Sequence, residues 1–135
     1  MTSTVKYTGE LRTECTHVRS GAKIITDAPP DNRGKGEAFS PTDLVATALA
    51  SCMMTIMGMA ARDHGLDITG ATASVNKVMA AGPRRIARVE VRFDMPERPY
   101  TPDERLLLES AALGCPVCES LRLECEQAVS FHWPV

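Results

Sequence analysis

The chain has 135 residues, of which 44% are hydrophobic and 24% are charged, and this balance excludes a disordered protein. At this length we predict one domain, residues 1–135, with its own buried core. The formal net charge of −2 and the pI of about 5.9 exclude a strongly basic surface, so we expect no binding to nucleic acid or to a membrane.

The N-terminal third is predicted to begin with strands. Val5, Tyr7 and Leu11 alternate with polar residues, which is the period of a half-buried strand. Gly21 indicates a turn, and residues 22–26 predict a second strand. The segment DAPPDNRGKGEA follows. It is rich in proline, glycine and charge, and it therefore predicts an exposed loop.

The longest predicted element is a helix that begins at Pro41. Ser40 and Asp43 provide an N-terminal capping box, and Gly65 suits the left-handed conformation that ends a helix. Residues 44–61 carry no charge, but at 1.5 Å per residue they reach only about 27 Å. They are also weakly hydrophobic for a membrane span and have no flanking aromatic belt, so we predict a buried helix.

This helix also bears on the quaternary structure. A helix that is uncharged on every side needs apolar cover on every side. One modest sheet and two short helices cannot provide that cover, so we expect a second copy of the chain to complete it. The sequence therefore predicts a homodimer.

The C-terminal half predicts further strands and two short helices. Residues 68–80 predict a strand, and residues 87–95 alternate strictly between apolar and polar side chains, as in an antiparallel strand with one face in water. Thr101 begins a second capping signature, Pro116 opens a short third helix, and residues 127–133 predict a last strand. Because strands and helices come in blocks, we predict an α+β fold with an antiparallel sheet packed on the central helix.

Five cysteines raise the question of the chain's chemistry. The first residues, MTSTVKYTGE, lack the basic and apolar regions of a signal peptide, so we expect a cytoplasmic protein whose thiols stay reduced. Cys15 and Cys125 lie in no motif and are interpreted as ordinary thiols. Cys52 lies in the middle of the uncharged helix, where a thiol is either a small hydrophobic side chain or a nucleophile that is kept dry.

The segment GCPVCESL, residues 114–121, contains a C-x-x-C pair. Cys115 precedes Pro116 at the predicted N-terminus of the third helix, where backbone amides and the helix dipole favour a thiolate. Three interpretations stay open: a helix cap with incidental thiols, a zinc site completed by Cys125 and His132, or a thioredoxin-like redox pair. The last is disfavoured because that motif follows an early strand, whereas this one lies near the C-terminus.

Together, FSPTDLVATALASC and CPVCESL resemble the OsmC/Ohr family of thiol-dependent peroxidases. The first segment is similar to the family's capped central helix, which leads to a cysteine. The second is similar to a later segment in which Cys-Pro opens a short helix. Their order and separation, with the loop before them and the strand pair between them, extend the resemblance over nearly the whole chain. It implies an OsmC-like α+β fold and an intertwined homodimer with two sites at the subunit interface.

The resemblance also implies a reaction. Cys52 matches the peroxidatic cysteine, which attacks an organic hydroperoxide, releases an alcohol and becomes a sulfenic acid. Cys115 matches the resolving cysteine, which forms a disulfide with Cys52. A dihydrolipoyl or thioredoxin-like dithiol then restores both thiols, and neither a metal nor an organic cofactor is needed. The implied role is defence against oxidative stress.

The resemblance is incomplete at the groups that would activate the thiolate. The family uses an arginine held by a glutamate, but the residue after the helix-opening proline is Thr42 here. Arg33 in the loop is the best positional match for the arginine, and Arg19 is a second candidate. Glu37 or Asp43 would hold it. An alternative function is therefore a catalytically weak protein that binds a small apolar ligand or senses oxidants.

Further expectations concern the thiols and their surroundings. The helix N-terminus predicts that Cys115 is the more acidic thiol, whereas the resemblance assigns the attack to Cys52, and we follow the resemblance. Cys118 stands where relatives often carry serine, and it offers a local disulfide with Cys115. A wall of methionines along the central helix suits an apolar hydroperoxide, because thioethers adapt to irregular shapes. These residues are Met53, Met54, Met57 and Met59.

Overall fold

The computed structural model describes residues 1–135 and contains six strands and three α-helices. The chain forms two compact units, Met1–Val45 and Ala46–Val135, and the longest helix begins in the first and continues in the second. The strands are β1 (Ser3–Gly9), β2 (Arg12–His17), β3 (Lys23–Asp27), β4 (Thr72–Ala80), β5 (Arg85–Asp94) and β6 (Glu126–His132). The helices are α1 (Pro41–Asp63), α2 (Pro102–Leu113) and α3 (Pro116–Ser120). The predicted α+β class is confirmed.

The N-terminal unit contains an antiparallel sheet in the order β1-β2-β3. Glu10 and Leu11 take positive φ angles of 54° and 62° in the turn between β1 and β2, as a two-residue hairpin loop requires. Leu11 is thus a turn residue, and its prediction as a strand residue is wrong. Val5 and Tyr7 are 64% and 63% exposed, so the half-buried face predicted for this strand does not hold within one subunit.

The predicted loop between β3 and α1 is exposed over most of its length and folds back on itself. Its first turn is a 3-10 helix, Pro30–Asn32, which ends at Arg33 with a φ of 68°. The Gly36 N–H donates to the carbonyl oxygen of Ala28 at 3.1 Å. A Cβ atom added at Gly34 would lie 1.8 Å from that same oxygen, so only glycine fits where the chain passes over itself.

The C-terminal unit contains the second sheet, in the order β4-β5-β6. β4 and β5 form an antiparallel hairpin, but β6 pairs with β5 in parallel. The entirely antiparallel sheet expected from the sequence is therefore wrong. The reason is that α2 and α3 lie between β5 and β6 in the chain. This long connection carries the chain back to the end of the sheet at which β5 begins, so that β6 runs in the same direction as β5. β4 also begins later than predicted, because the Ala71 N–H closes a turn on the carbonyl oxygen of Ile68 at 3.0 Å.

The ends of α1 are those that the sequence predicts. Ser40 Oγ accepts a hydrogen bond from the Asp43 N–H, and Asp43 Oδ2 accepts one from the Ser40 N–H, both at 3.0 Å. This is a reciprocal capping box. Gly65 has a φ of 67° just beyond the helix, which is the left-handed conformation expected there. Thr101 and Glu104 cap α2 in the same reciprocal way.

The core of the C-terminal unit is built from one face of α1, one face of β5 and the inner side of α2. Its largest members are Leu49, Met53 and Met57 of α1, Val89, Val91 and Phe93 of β5, and Leu108 of α2. The alternation predicted for β5 is confirmed, because Val89, Val91 and Phe93 are at most 1% exposed. The next apolar position, Met95, is also buried.

Only one face of α1 is buried in the single chain. The opposite face is exposed at Val45, Ala48, Ser51, Thr55 and Met59. The prediction of a helix buried on every side therefore does not hold within one subunit, and the homodimer that would cover this face stays a prediction. By length and composition α1 could also cross a membrane, a test that the core helices of soluble proteins pass as well.

Candidate functional site

The two cysteines singled out by the sequence lie side by side. Cys52 is in the middle of α1, and Cys115 is the N-cap residue of α3. Cys52 packs against the core cluster that contains Cys115, close enough for its side chain to lower the pKa of the Cys115 thiol. Cys115 is completely buried, whereas Cys52 is partly exposed and packs against the same core. The fold of the C-terminal unit therefore brings together two thiols that are far apart in the sequence.

A third thiol completes the group. The Cys118 N–H donates to Cys115 Sγ at 3.2 Å, and the Cys118 side chain packs against the same core cluster. Cys118 Sγ donates to the carbonyl oxygen of Ala112 at 3.7 Å. Gln127 Nε2 donates to the carbonyl oxygen of Cys118 at 3.0 Å and ties α3 to β6. We call Cys52, Cys115 and Cys118 the thiol cluster, and Cys115 is the member that contacts both of the others.

Burial raises the pKa of the Cys115 thiol above its usual value. The hydrogen bond with the Cys118 side chain raises this pKa further, while the Cys118 N–H and the Cys52 side chain lower it. The acidic thiol expected at the N-terminus of α3 is therefore wrong. α3 has only five residues, and its terminal amides do not offset the loss of water around the sulfur. The pKa of the Cys125 thiol is also raised, and burial is the only cause.

The structure provides no set of ligands for the predicted zinc site. It requires Cys125 and His132 to join Cys115 and Cys118 around one ion. No group of three or more His, Cys, Asp or Glu side chains is arranged to hold a metal ion. The C-x-x-C pair instead caps α3 and contacts Cys52.

The residues predicted to activate the thiolate belong to the N-terminal unit. Arg33 is exposed at the end of the 3-10 helix, and Arg19 is exposed in the turn after β2. Glu37 Oε1 lies 3.8 Å from Arg12 Nη2, so the arginine that this carboxylate contacts is neither of the two predicted ones. Asp43 serves in the cap of α1.

Arg12 is a charged residue that the sequence did not single out. Its Nε and Nη2 donate to Asp27 Oδ1 and Oδ2 at 2.7 and 2.8 Å. The Asp27 side chain is 1% exposed, and hydrogen bonding from Arg12 lowers the pKa of this carboxyl despite that burial. Arg12 and Asp27 are paired across β2 and β3, so the register of the hairpin is the signal that would have found them.

The methionines divide between the core and the surface. Met53 and Met57 are fully buried, so they are core residues, and their prediction as part of a substrate wall is wrong. Met54 and Met59 instead line a depression of about 700 Å³ beside the C-terminal half of α1. Met54 and Thr55 also line a second depression of about 500 Å³. Cys52 lines neither depression.

Comparison with known proteins identifies relatives over most of the chain. The family model for OsmC-like proteins matches residues 34–129. A crystal structure from Psychrobacter arcticus 273-4, provisionally assigned to osmotic stress induction and the detoxification response, shares 50% sequence identity. The match covers 98% of this chain and 96% of that chain, with a TM-score of 0.94. No curated protein matches the sequence significantly.

Two more distant structures share the fold. An organic hydroperoxide resistance protein named OsmC, from Legionella pneumophila, is 18% identical, with 97% of this chain and 96% of that chain covered and a TM-score of 0.75. An organic hydroperoxide resistance protein from Elizabethkingia anophelis, solved with thiocyanate bound, is 17% identical, with 98% and 96% covered and a TM-score of 0.76. At this identity the likeness shows the fold alone, which is the OsmC-like α+β fold.

Proposed function

Because the chain belongs to the OsmC-like protein family, we propose that it is a thiol-dependent peroxidase that reduces organic hydroperoxides to alcohols. The placement of Cys52 against the core cluster that contains Cys115 is the observation that carries this proposal. A two-cysteine peroxidase needs one thiol that a substrate can reach and a second thiol in contact with it. Two structures with the same fold are also named for organic hydroperoxide resistance.

In the first step the Cys52 thiolate attacks the terminal oxygen of the hydroperoxide. A sulfur–oxygen bond forms, the oxygen–oxygen bond breaks, and the alkoxide leaves and takes up a proton to become the alcohol. Cys52 is thereby oxidised to a sulfenic acid. We assign this step to Cys52 because it is partly exposed, whereas Cys115 is completely buried and its raised pKa leaves little thiolate near neutral pH.

In the second step Cys115 resolves the sulfenic acid. Its sulfur attacks the sulfur of Cys52, a disulfide forms, and the hydroxyl group leaves as water. The two cysteines already belong to one packed core cluster, and this proximity favours their approach to the disulfide bond length of about 2 Å. A dithiol of the dihydrolipoyl or thioredoxin-like kind then restores both thiols by exchange, so the cycle needs no metal or organic cofactor.

Attack by Cys52 needs a cation nearby, because an apolar surrounding disfavours a thiolate. We propose Arg33 for this role, because it lies on the exposed loop that precedes α1 and matches the family's arginine in position. Glu37 is its proposed holder. Arg12 is the competing candidate, because Asp27 and Glu37 already contact it.

The proposed working form is a cytoplasmic homodimer that takes part in defence against oxidative stress. The uncharged, exposed face of α1 supports the dimer, since a second copy would cover it.

A second candidate function is a protein of low turnover that binds a small apolar ligand or senses oxidants. Thr42, which stands where the family resemblance expects a glutamate, favours it. The second depression, which Met54, Ala71 and Val75 line, offers such a ligand a mostly apolar surface.

The deciding experiment measures the consumption of cumene, lipid and hydrogen peroxides with dihydrolipoamide as the reductant. We expect wild-type protein to consume the two organic hydroperoxides faster than hydrogen peroxide, and Cys52→Ser protein to consume none of them above the uncatalysed rate. Equal rates for wild type and Cys52→Ser would favour the second candidate. Stoichiometric zinc in the purified protein would revive the metal interpretation of the C-x-x-C pair.

A further inference from the structure

The Cys118 thiol has no task in a cycle made of Cys52 and Cys115 alone, yet it contacts Cys115. We propose that Cys118 is a second resolving cysteine. By thiol–disulfide exchange it converts the Cys52–Cys115 disulfide into a Cys115–Cys118 disulfide, which is the one that the reductant then reduces. This inference rests on the proposed peroxidase function, because that function supplies the first disulfide. It assigns Cys118 to the reaction rather than to the cap of α3.

The helix cap places Cys118 correctly for this bond. Cys115 is the N-cap residue of α3, and its sulfur accepts the Cys118 N–H at 3.2 Å. The Cα atoms of residues three apart in a helix are about 5 Å apart, and a disulfide accepts Cα separations of about 4.4–6.8 Å. A Cys115–Cys118 bond therefore fits the first turn of α3 without moving the helix.

The order of the sulfurs allows the transfer. Cys52 and Cys118 both pack against the core cluster that contains Cys115, and the Cys118 N–H donates to Cys115 Sγ. Exchange requires a thiolate to reach one sulfur of an existing disulfide. Cys118 already lies in contact with Cys115, so it has the sulfur of Cys115 within reach as soon as the first disulfide has formed.

The exchange conserves electrons and bonds. The Cys118 thiolate attacks Cys115 Sγ, the Cys115–Cys118 bond forms, and the Cys52–Cys115 bond breaks. Cys52 leaves with the bonding electron pair and takes up the proton that Cys118 lost, so nothing is oxidised or reduced overall. A thiol of high pKa is a poor leaving group. Burial raises the pKa of Cys115, and this favours an exchange in which Cys115 stays bonded and Cys52 departs.

The transfer returns Cys52 to its reduced form before any reductant has acted. Cys52 then accepts a second hydroperoxide while the first oxidation is stored as the Cys115–Cys118 disulfide. In the absence of reductant, each wild-type subunit is therefore expected to consume about twice as much hydroperoxide as a subunit that lacks Cys118.

The sequence makes these products separable after trypsin cleavage. Cys52 lies in the peptide of residues 36–62, and Cys115 and Cys118 both lie in the peptide of residues 106–122. A Cys52–Cys115 bond cross-links the two peptides, whereas a Cys115–Cys118 bond lies inside the second. Protein is mixed with cumene hydroperoxide without reductant, quenched with an alkylating agent at increasing times, digested and analysed by mass spectrometry.

We expect the cross-linked pair to form first in wild type and then to convert into the internally bonded peptide, with Cys52 free to be alkylated. In Cys118→Ser protein the cross-linked pair should persist. Cys125→Ser is the matched control, because Cys125 is also half-buried near the core but burial alone perturbs its pKa; it should behave as wild type. Far-ultraviolet circular dichroism checks that all variants are folded.

Two results would overturn the inference. One is a cross-linked pair that persists in wild type while hydroperoxide consumption equals that of Cys118→Ser. The other is a Cys115–Cys118 bond that forms equally fast in Cys52→Ser protein, because Cys52 would then not supply it. Oxidation with diamide separates this failure from failure of the proposed function. A Cys115–Cys118 bond with diamide but no oxidation with hydroperoxide would refute only the peroxidase, whereas Cys52–Cys115 alone with both oxidants would refute only the transfer.

Discussion

Arg12 and Asp27 face each other across β2 and β3 and are joined by hydrogen bonds of 2.7 and 2.8 Å. The Asp27 side chain is 1% exposed, and the guanidinium compensates a carboxylate that water cannot reach. The Glu37 N–H adds a third bond to Asp27 Oδ2 at 3.0 Å. The pair therefore anchors the loop that carries Arg33 and Glu37 to the N-terminal sheet.

Replacing Asp27 with asparagine should destabilise the protein at neutral pH and matter less in acid. Hydrogen bonding from Arg12 lowers the pKa of Asp27 below its ordinary 3.8, so this group stabilises the fold above pH 3.8 and its contribution is lost as the pH falls through the lower, folded-state value. The measurement is urea unfolding of wild type and Asp27→Asn at pH 7 and near pH 3. Glu14→Gln is the control, because its ion pair with Lys23 is exposed and contributes little.

An equal loss of stability for Asp27→Asn at both pH values would show that shape rather than charge makes Asp27 important. A large effect of Glu14→Gln would indicate that the whole sheet edge responds to charge, and not the buried pair in particular.

Separate substitutions of the two cysteines should distinguish their roles. Cys52→Ser should lower peroxide consumption by about a hundredfold or more and leave no sulfenic acid to trap with dimedone. Cys115→Ser should allow the first oxidation and leave a trappable sulfenic acid on Cys52, because the attack on hydroperoxide needs no second thiol. Peptide mapping of the dimedone adduct checks both. A sulfenic acid on Cys115 in the Cys52→Ser protein would reverse the assignment.

Replacing Arg33 with methionine should slow the reaction of Cys52 with hydroperoxide. Loss of a neighbouring cation commonly raises the pKa of a thiol by about one unit or more. We therefore expect a rate about tenfold lower at neutral pH, and part of this rate should return at higher pH, where more of the thiol is ionised. Stopped-flow measurement of the first oxidation across pH values tests this. Arg12→Met and Arg19→Met are made in parallel, and a slower reaction in one of them with Arg33→Met unchanged would move the role to that arginine.

A charge on the exposed face of α1 should separate the predicted dimer. Ala48 is exposed on that face, and Ala48→Arg would place a guanidinium where a second subunit is expected to pack. We expect wild type to sediment as a dimer at micromolar concentration and Ala48→Arg as a monomer. Ser110→Arg, at an exposed position on α2, is the control and should remain dimeric. A wild-type monomer would remove the interfacial site from the proposal.

The features that the sequence predicts well are those that depend on neighbours in the chain. The capping box of Ser40 and Asp43, the left-handed Gly65 and the alternation along β5 are all local patterns, and the structure confirms each of them. The position of Cys115 at the start of α3 is local as well, because Pro116 fixes the first turn.

The features that the sequence does not predict depend on which segments meet. The parallel pairing of β6 is decided by where the connection through α2 and α3 returns. Met53 and Met57 belong to the core because they lie on the buried face of α1, and composition alone does not show which face is buried. The pKa of Cys115 follows from its complete burial, and the helix position alone suggested the opposite direction.

The sulfur of Cys115 has a structural task besides its chemistry, because it accepts the Cys118 N–H that would otherwise lack a partner at the start of α3. A disulfide bond to Cys52 constrains the position of this sulfur and so competes with its role as the acceptor in the cap. α3 has five residues, too few to be stable without its cap and its packing. Amide hydrogen exchange in this turn should therefore accelerate while Cys115 is bonded to Cys52 and slow again on reduction, so that the backbone of α3 reports this redox state to any partner that binds there.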